Sequence, residues 1–328
     1  MAKLIVIVCC LASFAVAREP INVWLDVDTS AGLIKPRVKD VDDGLALVQA
    51  FHSPEINIRG VSVCFGNAPL AEALPIAREI TRRFGPSGLG VFSGAAAAAD
   101  LGVENDATRA LAKELEQRQL TILALGPVTN VATVLKNRTD LRGKVRQIVV
   151  CAARRPGFGF YVPDRPEAVL PDANFEKDAP AMQLLLDSGV QIVFAGYESS
   201  CDTWLSREDL ESIAGKSESG KWVRDVSQDW IARWESMRGP RGFNPFDTLC
   251  VGYITHPGLL QTIEVSAHIT TGPDDRAGTG LAATRPTKPY LIAEPHQGNA
   301  VKHIYCTSAK PEFRQTLLAR LVGPPAKE

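Results

Sequence analysis

Residues 25–47 read LDVDTSAGLIKPRVKDVDDGLAL and hold five aspartates: Asp26, Asp28, Asp40, Asp42 and Asp43. INVWLDV (21–27) has the composition of a buried strand, and DDGLALVQAFH (42–52) puts Leu45, Val48 and Phe51 on one helical stripe. The aspartates therefore crowd a strand-to-helix junction. Carboxylates a few ångströms apart in a low-dielectric site repel strongly, and Arg37 and Lys39 are the nearby basic residues able to offset them. Capping and surface ion pairs explain a single aspartate at a helix start. Asp26 and Asp28 on one side of the junction, with Asp42 and Asp43 on the other, ask for more, and a divalent cation is the first candidate. Being two apart, Asp26 and Asp28 point the same way if the strand continues, and open α/β sheets bind ligands beyond the carboxyl ends of their strands. Asp42 and Asp43 open a helix, whose positive dipole end favours negative charge. An all-oxygen set suits a hard ion such as Ca²⁺ or Mg²⁺; softer metals would want the Cys or His that this segment lacks.

Outward from this junction, strand-like runs alternate with helix-like ones. INIRGVSVCF (56–65), LTILAL (120–125), VRQIVVC (145–151) and VQIVFAG (190–196) read as buried strands. Residues 68–84, 107–118 and 127–137 carry helical periodicity. The alternation predicts an α/β fold with an open, mostly parallel, Rossmann-like sheet flanked by helices. Residues 197–250 are more helical and suggest a cap, in which Trp230 and Trp234 share a helix face and read as core packing. Residues 256–300 suggest hairpins at one sheet edge, and 312–322 a closing helix. Residues 18–328 are expected to form one domain.

The chain has 36 basic and 37 acidic residues, and this balance gives no reason to expect nucleic-acid binding, which usually needs a basic face. Residues 1–17 have a basic start, an apolar run from Leu4 to Phe14, and Ala15-Val16-Ala17 as a small-x-small site. They read as a secretory signal, which places the mature chain in the periplasm or outside the cell; the other readings are a mis-called start, which would make the chain cytoplasmic, or an unusual first strand. No further stretch is apolar for long enough to cross a membrane. Outside that leader, Cys64, Cys151, Cys201, Cys250 and Cys306 are scattered, with no C-x-x-C pair, and most read as small buried hydrophobes.

D-x-D at a strand end, D-D opening a helix and Phe65-Gly66-Asn67 closing the second strand resemble the inosine-uridine-preferring nucleoside hydrolase family. The resemblance runs on, in order, through ALGPVTN (124–130), DANFEKDAPA (172–181) and NPFDTLCVGY (244–253). It implies a nucleoside-hydrolase-type fold and Ca²⁺-dependent hydrolysis of the N-glycosidic bond of ribonucleosides, giving ribose and free base. It implies Asp28 as calcium ligand and as the base that activates a calcium-held water. Asp43, the Leu125 carbonyl and Asp247 are the other implied ligands. Asp26, Asp42, Asn67, Asp172 and Asn174 are implied around the ribose. Dimers or tetramers are common in the family.

Four departures matter. About ten residues separate the two aspartate pairs where the family is compact, and this loop is a candidate lid. Phe246 stands where many members carry a His, which implies stacking on the base and a purine preference. AARRPG (152–157) replaces M-G-G, so Arg154 and Arg155 are either an anion site or solvated surface residues. GFGFYVPDRPEAVLP (157–171) lacks a clear counterpart of the family's Asn, leaving recognition of the 5′ end open. Two competing functions are an exported, non-catalytic nucleoside- or sugar-binding protein and, ranked lower, a phosphatase, since DVDTS also resembles the start of haloacid-dehalogenase-like proteins. His268, His296 and His303 are not spaced as a ligand set and receive no role.

Overall fold

A computed structural model describes residues 19–162, 165–276, 286–298 and 300–323; the expected secretory signal at 1–17 lies outside the described residues. The central sheet has nine strands. In chain order the first five are β1 (Ile21–Val27), β2 (Ile56–Val63), β3 (Val91–Ser93), β4 (Leu120–Ala124) and β5 (Val145–Val150). A short antiparallel pair follows, β6 (Tyr161–Val162) and β7 (Arg165–Val169), outside the main sheet. β8 (Ile192–Phe194), β9 (Leu260–Pro273), β10 (Thr287–Pro295) and β11 (His303–Ala309) complete it. The spatial order is β10-β9-β11-β8-β5-β4-β1-β2-β3. Every pairing from β3 across to β11 is parallel, and β9 pairs antiparallel with both its neighbours. The mostly parallel sheet and the β9–β10 edge hairpin match the sequence expectation. β3 and β11 were not anticipated, and β11 enters between β8 and the hairpin.

The order contains the feature that locates the site. From β1 the chain builds β2 and β3 on one side, then crosses back to lay β4 on the other side of β1. The crossover connections diverge there, opening a crevice beyond the carboxyl ends of β1 and β4. Asp26 is the penultimate residue of β1, and Leu125 follows β4 directly.

Side-chain alternation in β1 explains how the sheet buries both faces. Val23, Leu25 and Val27 join one core with Leu45 and Val48 of α1 (Asp42–Phe51) and Phe313 and Leu317 of α11 (Glu312–Val322). Trp24 points to the opposite face, into a core with Leu111 of α3 (Asp106–Gln117) and Val131 of α4 (Thr129–Asn137). α2 (Leu70–Phe84) lies on the first face through Ala73, Ala77 and Ile80. α5 (Ala173–Lys177) and α6 (Ala179–Asp187) sit after the β6–β7 pair. The expected cap is α7 (Tyr197–Ser200), α8 (Arg207–Ala214), the long α9 (Glu218–Arg238) and α10 (Thr248–Thr255). Among the described residues no helix is long and apolar enough to cross a membrane.

Candidate active site

β1 ends at Val27, so Asp26 and Asp28 do not continue along one strand face; each goes to its own partners. Asp26 stays in register with Ser62 and Ala124 on the two neighbouring strands. Its Oδ1 accepts the Ser62 hydroxyl at 2.5 Å and the Asn130 amide at 2.9 Å, while Oδ2 is buried without a partner. Burial pushes its pKa up to about 7 against the pull of those two donors. Asp28 leaves the strand and turns toward β2: the backbone N–H of Asn67 donates to Oδ2 at 2.8 Å, and the Asn67 amide to Oδ1 at 3.1 Å. Two glycines make room for it. A Cβ on Gly66 would fall 1.7 Å from Asp28 Oδ2, and one on Gly126 would fall 2.8 Å from its Cβ. The glycine of FGN is thus set by the close approach of the Asp28 carboxylate.

At the start of α1, Asp40 Oδ1 accepts from the N–H groups of Val41 (2.7 Å) and Asp42 (3.3 Å), and Asp42 Oδ1 accepts the N–H of Asp43 at 3.1 Å. Asp43 Oδ1 accepts the backbone N–H of Asp28 at 2.9 Å, which ties the helix start to the strand end. Asp247 arrives from the far end of the chain, at the N-terminus of α10, and its Oδ1 is buried without a hydrogen-bond partner. One carboxylate oxygen from each of Asp42, Asp43 and Asp247 lies within 4.8 Å of the others, and all three residues are buried. Each is pushed well above the usual carboxylate range, first by burial and then by the negative charge of its neighbours. Orphaned oxygens, shared burial and an all-oxygen donor set fit a hard cation. Asp28 has a cation nearer to hand: Lys177 Nζ stands 3.6 Å from its Oδ2. The Leu125 carbonyl accepts the Asn174 amide at 2.6 Å and keeps a second lone pair. Asp172 instead accepts the backbone N–H of Ala153 at 2.9 Å, and burial lifts its pKa to about 7.

These groups floor a cleft of about 770 Å³, with Asp42, Asn67, Asp172, Asn174 and Asp247 among its lining residues. Asp26, Asp28 and Asp43 lie behind that surface. The opposite wall is aromatic. Phe246 lies 5.9 Å from Trp234 and 6.3 Å from Tyr197, and Tyr197 lies 4.9 Å from Phe160. Trp230 stands edge-on to Trp234 at 6.1 Å, and its indole N–H is buried without a partner. The two tryptophans do share a helix face, but besides packing in the cap they line the cleft.

Sequence reasoning missed Lys177, although it lies one helical turn beyond Asn174, within ANFEK. Asn130, inside ALGPVTN, is a second functional residue that its motif does not reveal: its amide fixes Asp26. For Arg154, neither sequence reading holds. The residue is buried, pairs with Asp275 at 2.7 Å and lies over the rings of Phe160 and Tyr290. Arg155 pairs with Glu198 at 2.6 Å and stacks over Phe158.

The profile of the family described as inosine-uridine preferring nucleoside hydrolase matches residues 23–304. The chain belongs to this family. As a nucleoside hydrolase it acts on N-glycosyl bonds, and the phosphatase reading of DVDTS is set aside. It is 24% identical over 259 residues to uridine nucleosidase 1 of Arabidopsis thaliana, covering 69% of this chain and 73% of that one. It is 26% identical over 256 residues to the pyrimidine-specific ribonucleoside hydrolase RihA of Salmonella newport, covering 68% and 79%. Among solved structures it resembles the purine-preferring ribonucleoside hydrolase of Gardnerella vaginalis with a TM-score of 0.72 and 19% identity, covering 92% of this chain and 98% of the other. The nucleoside hydrolase fold is thus supported independently by sequence and by shape.

Proposed function

We propose that this nucleoside hydrolase cleaves the N-glycosidic bond of ribonucleosides in a Ca²⁺-dependent manner, with purines favoured. The observation that carries the reading is the convergence of Asp42, Asp43 and Asp247, with orphaned oxygen, at the switch point of the sheet and beneath an aromatic wall. Asp28, Asp43, Asp247 and the Leu125 carbonyl, with Asp42 beside them, would hold the ion. Bound there, it would supply fixed positive charge that orients the sugar hydroxyls and the attacking water.

The rest belongs to the chain. Asp28 accepts the proton of the attacking water, held in place by the two donors from Asn67. Asp26, fixed by Ser62 and Asn130, adds negative potential beneath the ring, where positive charge develops as the C1′–N bond breaks. Asn174 and Asp172 face the ribose from α5 and its N-terminus. Phe246, backed by Trp234 and Tyr197, offers a stacking face for the base, and the unpartnered indole N–H of Trp230 is a donor in the same wall. The stacking face of Phe246 supports a purine, while the relatives matched by sequence include pyrimidine-specific enzymes, so the test takes both classes.

The test is base release from inosine, guanosine, adenosine, uridine and cytidine, with Ca²⁺ and with a chelator, for the parent chain and Asp28→Asn. The chelator should abolish release and Ca²⁺ should restore it. Asp28→Asn should lower kcat by about 10²–10⁴-fold. Uridine turned over far better than inosine would remove the purine preference. No base released from any member would remove the catalytic reading and leave a binding protein.

A further inference from the structure

A nucleoside is uncharged at neutral pH, yet the mouth of this cleft is basic. Arg37 and Lys39 come from the segment between the two aspartate pairs, Lys177 from the end of α5, and Arg233 from α9; all four line the cleft. Lys177 has Asp28 within 3.6 Å. The side chains of Arg37, Lys39 and Arg233 form no ion pair among the described residues. They are not shielded from each other either. Partial burial lowers the pKa of Lys39, and the charges of Arg37 and Lys177 lower it further, with Glu72 of α2 working the other way. Arg37 and Lys39, drawn together at the cleft without an ion-pair partner among the described residues, repel, and an anion between them would relieve that repulsion.

The remainder of the cleft limits where such an anion sits on its ligand. The carboxylate floor rejects negative charge at the edge of the sugar it faces. The wall of Phe246, Trp234 and Tyr197 suits a flat, uncharged base. The substituent left over on a ribonucleoside is the one at its 5′ carbon. We propose that the cleft takes nucleosides carrying an anionic group on the 5′ oxygen, of the phosphate monoester class, with Arg37, Lys39 and Lys177 as its partners. The proposal rests on the nucleoside hydrolase reading above and narrows its substrate class. Water adds to C1′, the C1′–N bond breaks, the base departs with the bonding pair and a proton, and the phosphate ester is left intact on the sugar. Arg37 can clasp two phosphate oxygens and the lysines act as point charges.

The experiment uses the full chain with Ca²⁺ and two matched pairs: inosine with its 5′-monophosphate, and uridine with its 5′-monophosphate. Free base is measured, and binding of each compound is measured separately by calorimetry. The kcat/KM of the monophosphate should exceed that of its nucleoside by about tenfold or more, and the Arg37→Gln/Lys39→Gln double variant should reduce this ratio by about tenfold. Added salt should reduce it as well. A ratio of one or less in the parent, or a ratio unchanged in the double variant, overturns the proposal; the cations would then serve only to balance the floor. If neither pair yields base, the hydrolase reading fails, and calorimetry decides the anion site alone. Tighter binding of the monophosphates that the double variant weakens retains the site; equal binding of phosphorylated and plain nucleosides overturns it.

Discussion

Two clusters of buried charge lie side by side in this molecule and are built in opposite ways. Between α5 and β10, Lys288 contacts Glu176 at 2.8 Å and Asp275 at 2.6 Å, Arg154 contacts Asp275 at 2.7 Å, and Arg276 contacts Asp274 at 2.8 Å. Every charge there has an opposite charge. At the switch point, Asp42, Asp43 and Asp247 face one another, Asp26 and Asp28 beside them are held by neutral donors, and among the described residues the ion pair there is Lys177 at 3.6 Å from Asp28. The clusters touch: Glu176 Oε1 accepts the backbone N–H of Asp172 at 3.1 Å, so the paired network braces one side of the cleft. The difference teaches how to read buried charge. A balanced cluster is what the fold needs for itself, because an isolated buried ion is too costly to keep. An unbalanced cluster is stable only with help from outside the chain, or with its carboxylates protonated.

One pair of isosteric substitutions puts this contrast under the greatest strain. Asp275→Asn takes the carboxylate from the buried Arg154 and should destabilise the protein by about 3–5 kcal/mol, because an uncompensated buried charge remains. Asp43→Asn keeps the oxygen that accepts the Asp28 N–H and removes one of several like charges. In chelator it should leave stability unchanged or raise it, while hydrolysis is lost. Denaturant unfolding of both variants in chelator gives the answer; equal losses would mean that the two clusters do the same structural work.

The same contrast marks what could be read in the sequence. Most of the floor was legible because its parts are local: D-x-D at a strand end, D-D at a helix start, and F-G-N where a glycine must admit Asp28; Asp247, from the far end of the chain, was legible only through the family resemblance of NPFDTLCVGY. The parallel strands β1, β2, β4 and β5 were legible as apolar runs buried on both faces. β11 was not, because HIYCTSA mixes polar and apolar residues in no strand-like run, and its place beside β8 is fixed by pairing across more than a hundred residues. The paired network was illegible for the same reason. Arg154 and Asp275 are 121 residues apart, so a sequence shows two unrelated charges where the fold makes a bond. The aromatic wall gave a correct helix face and an incomplete role, since packing tryptophans and cleft-lining tryptophans have the same periodicity.

A smaller effect comes from supplying the missing charge. Ca²⁺ at about a hundred times its dissociation constant should stabilise the parent by about 2.7 kcal/mol if it binds only the folded chain. Asp43→Asn should lose most of that gain. Asp275→Asn should keep it, because its cluster already has its cations. Thermal melting with and without Ca²⁺ measures all three, and a gain of equal size in Asp43→Asn would place the ion somewhere other than the switch point.

The finest distinction is one of sign against pH. In the floor, burial raises Asp26 and Asp172 to about 7 and Asp40 to about 6. An unfolded aspartate titrates near ~4, so between there and about 7 the unfolded chain ionises while the folded floor holds its protons. Stability from these groups is full below pH ~4 and is lost as pH rises through 6 to 7. In the paired network the sign is reversed. Burial opposes ionisation of Asp275, but hydrogen bonds from Lys288 and Arg154 overcome it and hold the pKa below the usual range. That contribution is present above pH ~4 and is lost in acid. Buried His303, lowered to about 4 by burial, also loses stability as pH falls, so a single melting curve would mix the signs. The difference between Ca²⁺-loaded and chelated protein removes the network and His303, which the ion does not touch. That difference in melting temperature should be small at pH 5 and grow by several degrees at pH 7.5, because the chelated floor alone must then carry unpaired carboxylates. A difference that stayed flat, or shrank with rising pH, would show that the floor balances its own charge and that the two clusters are alike after all.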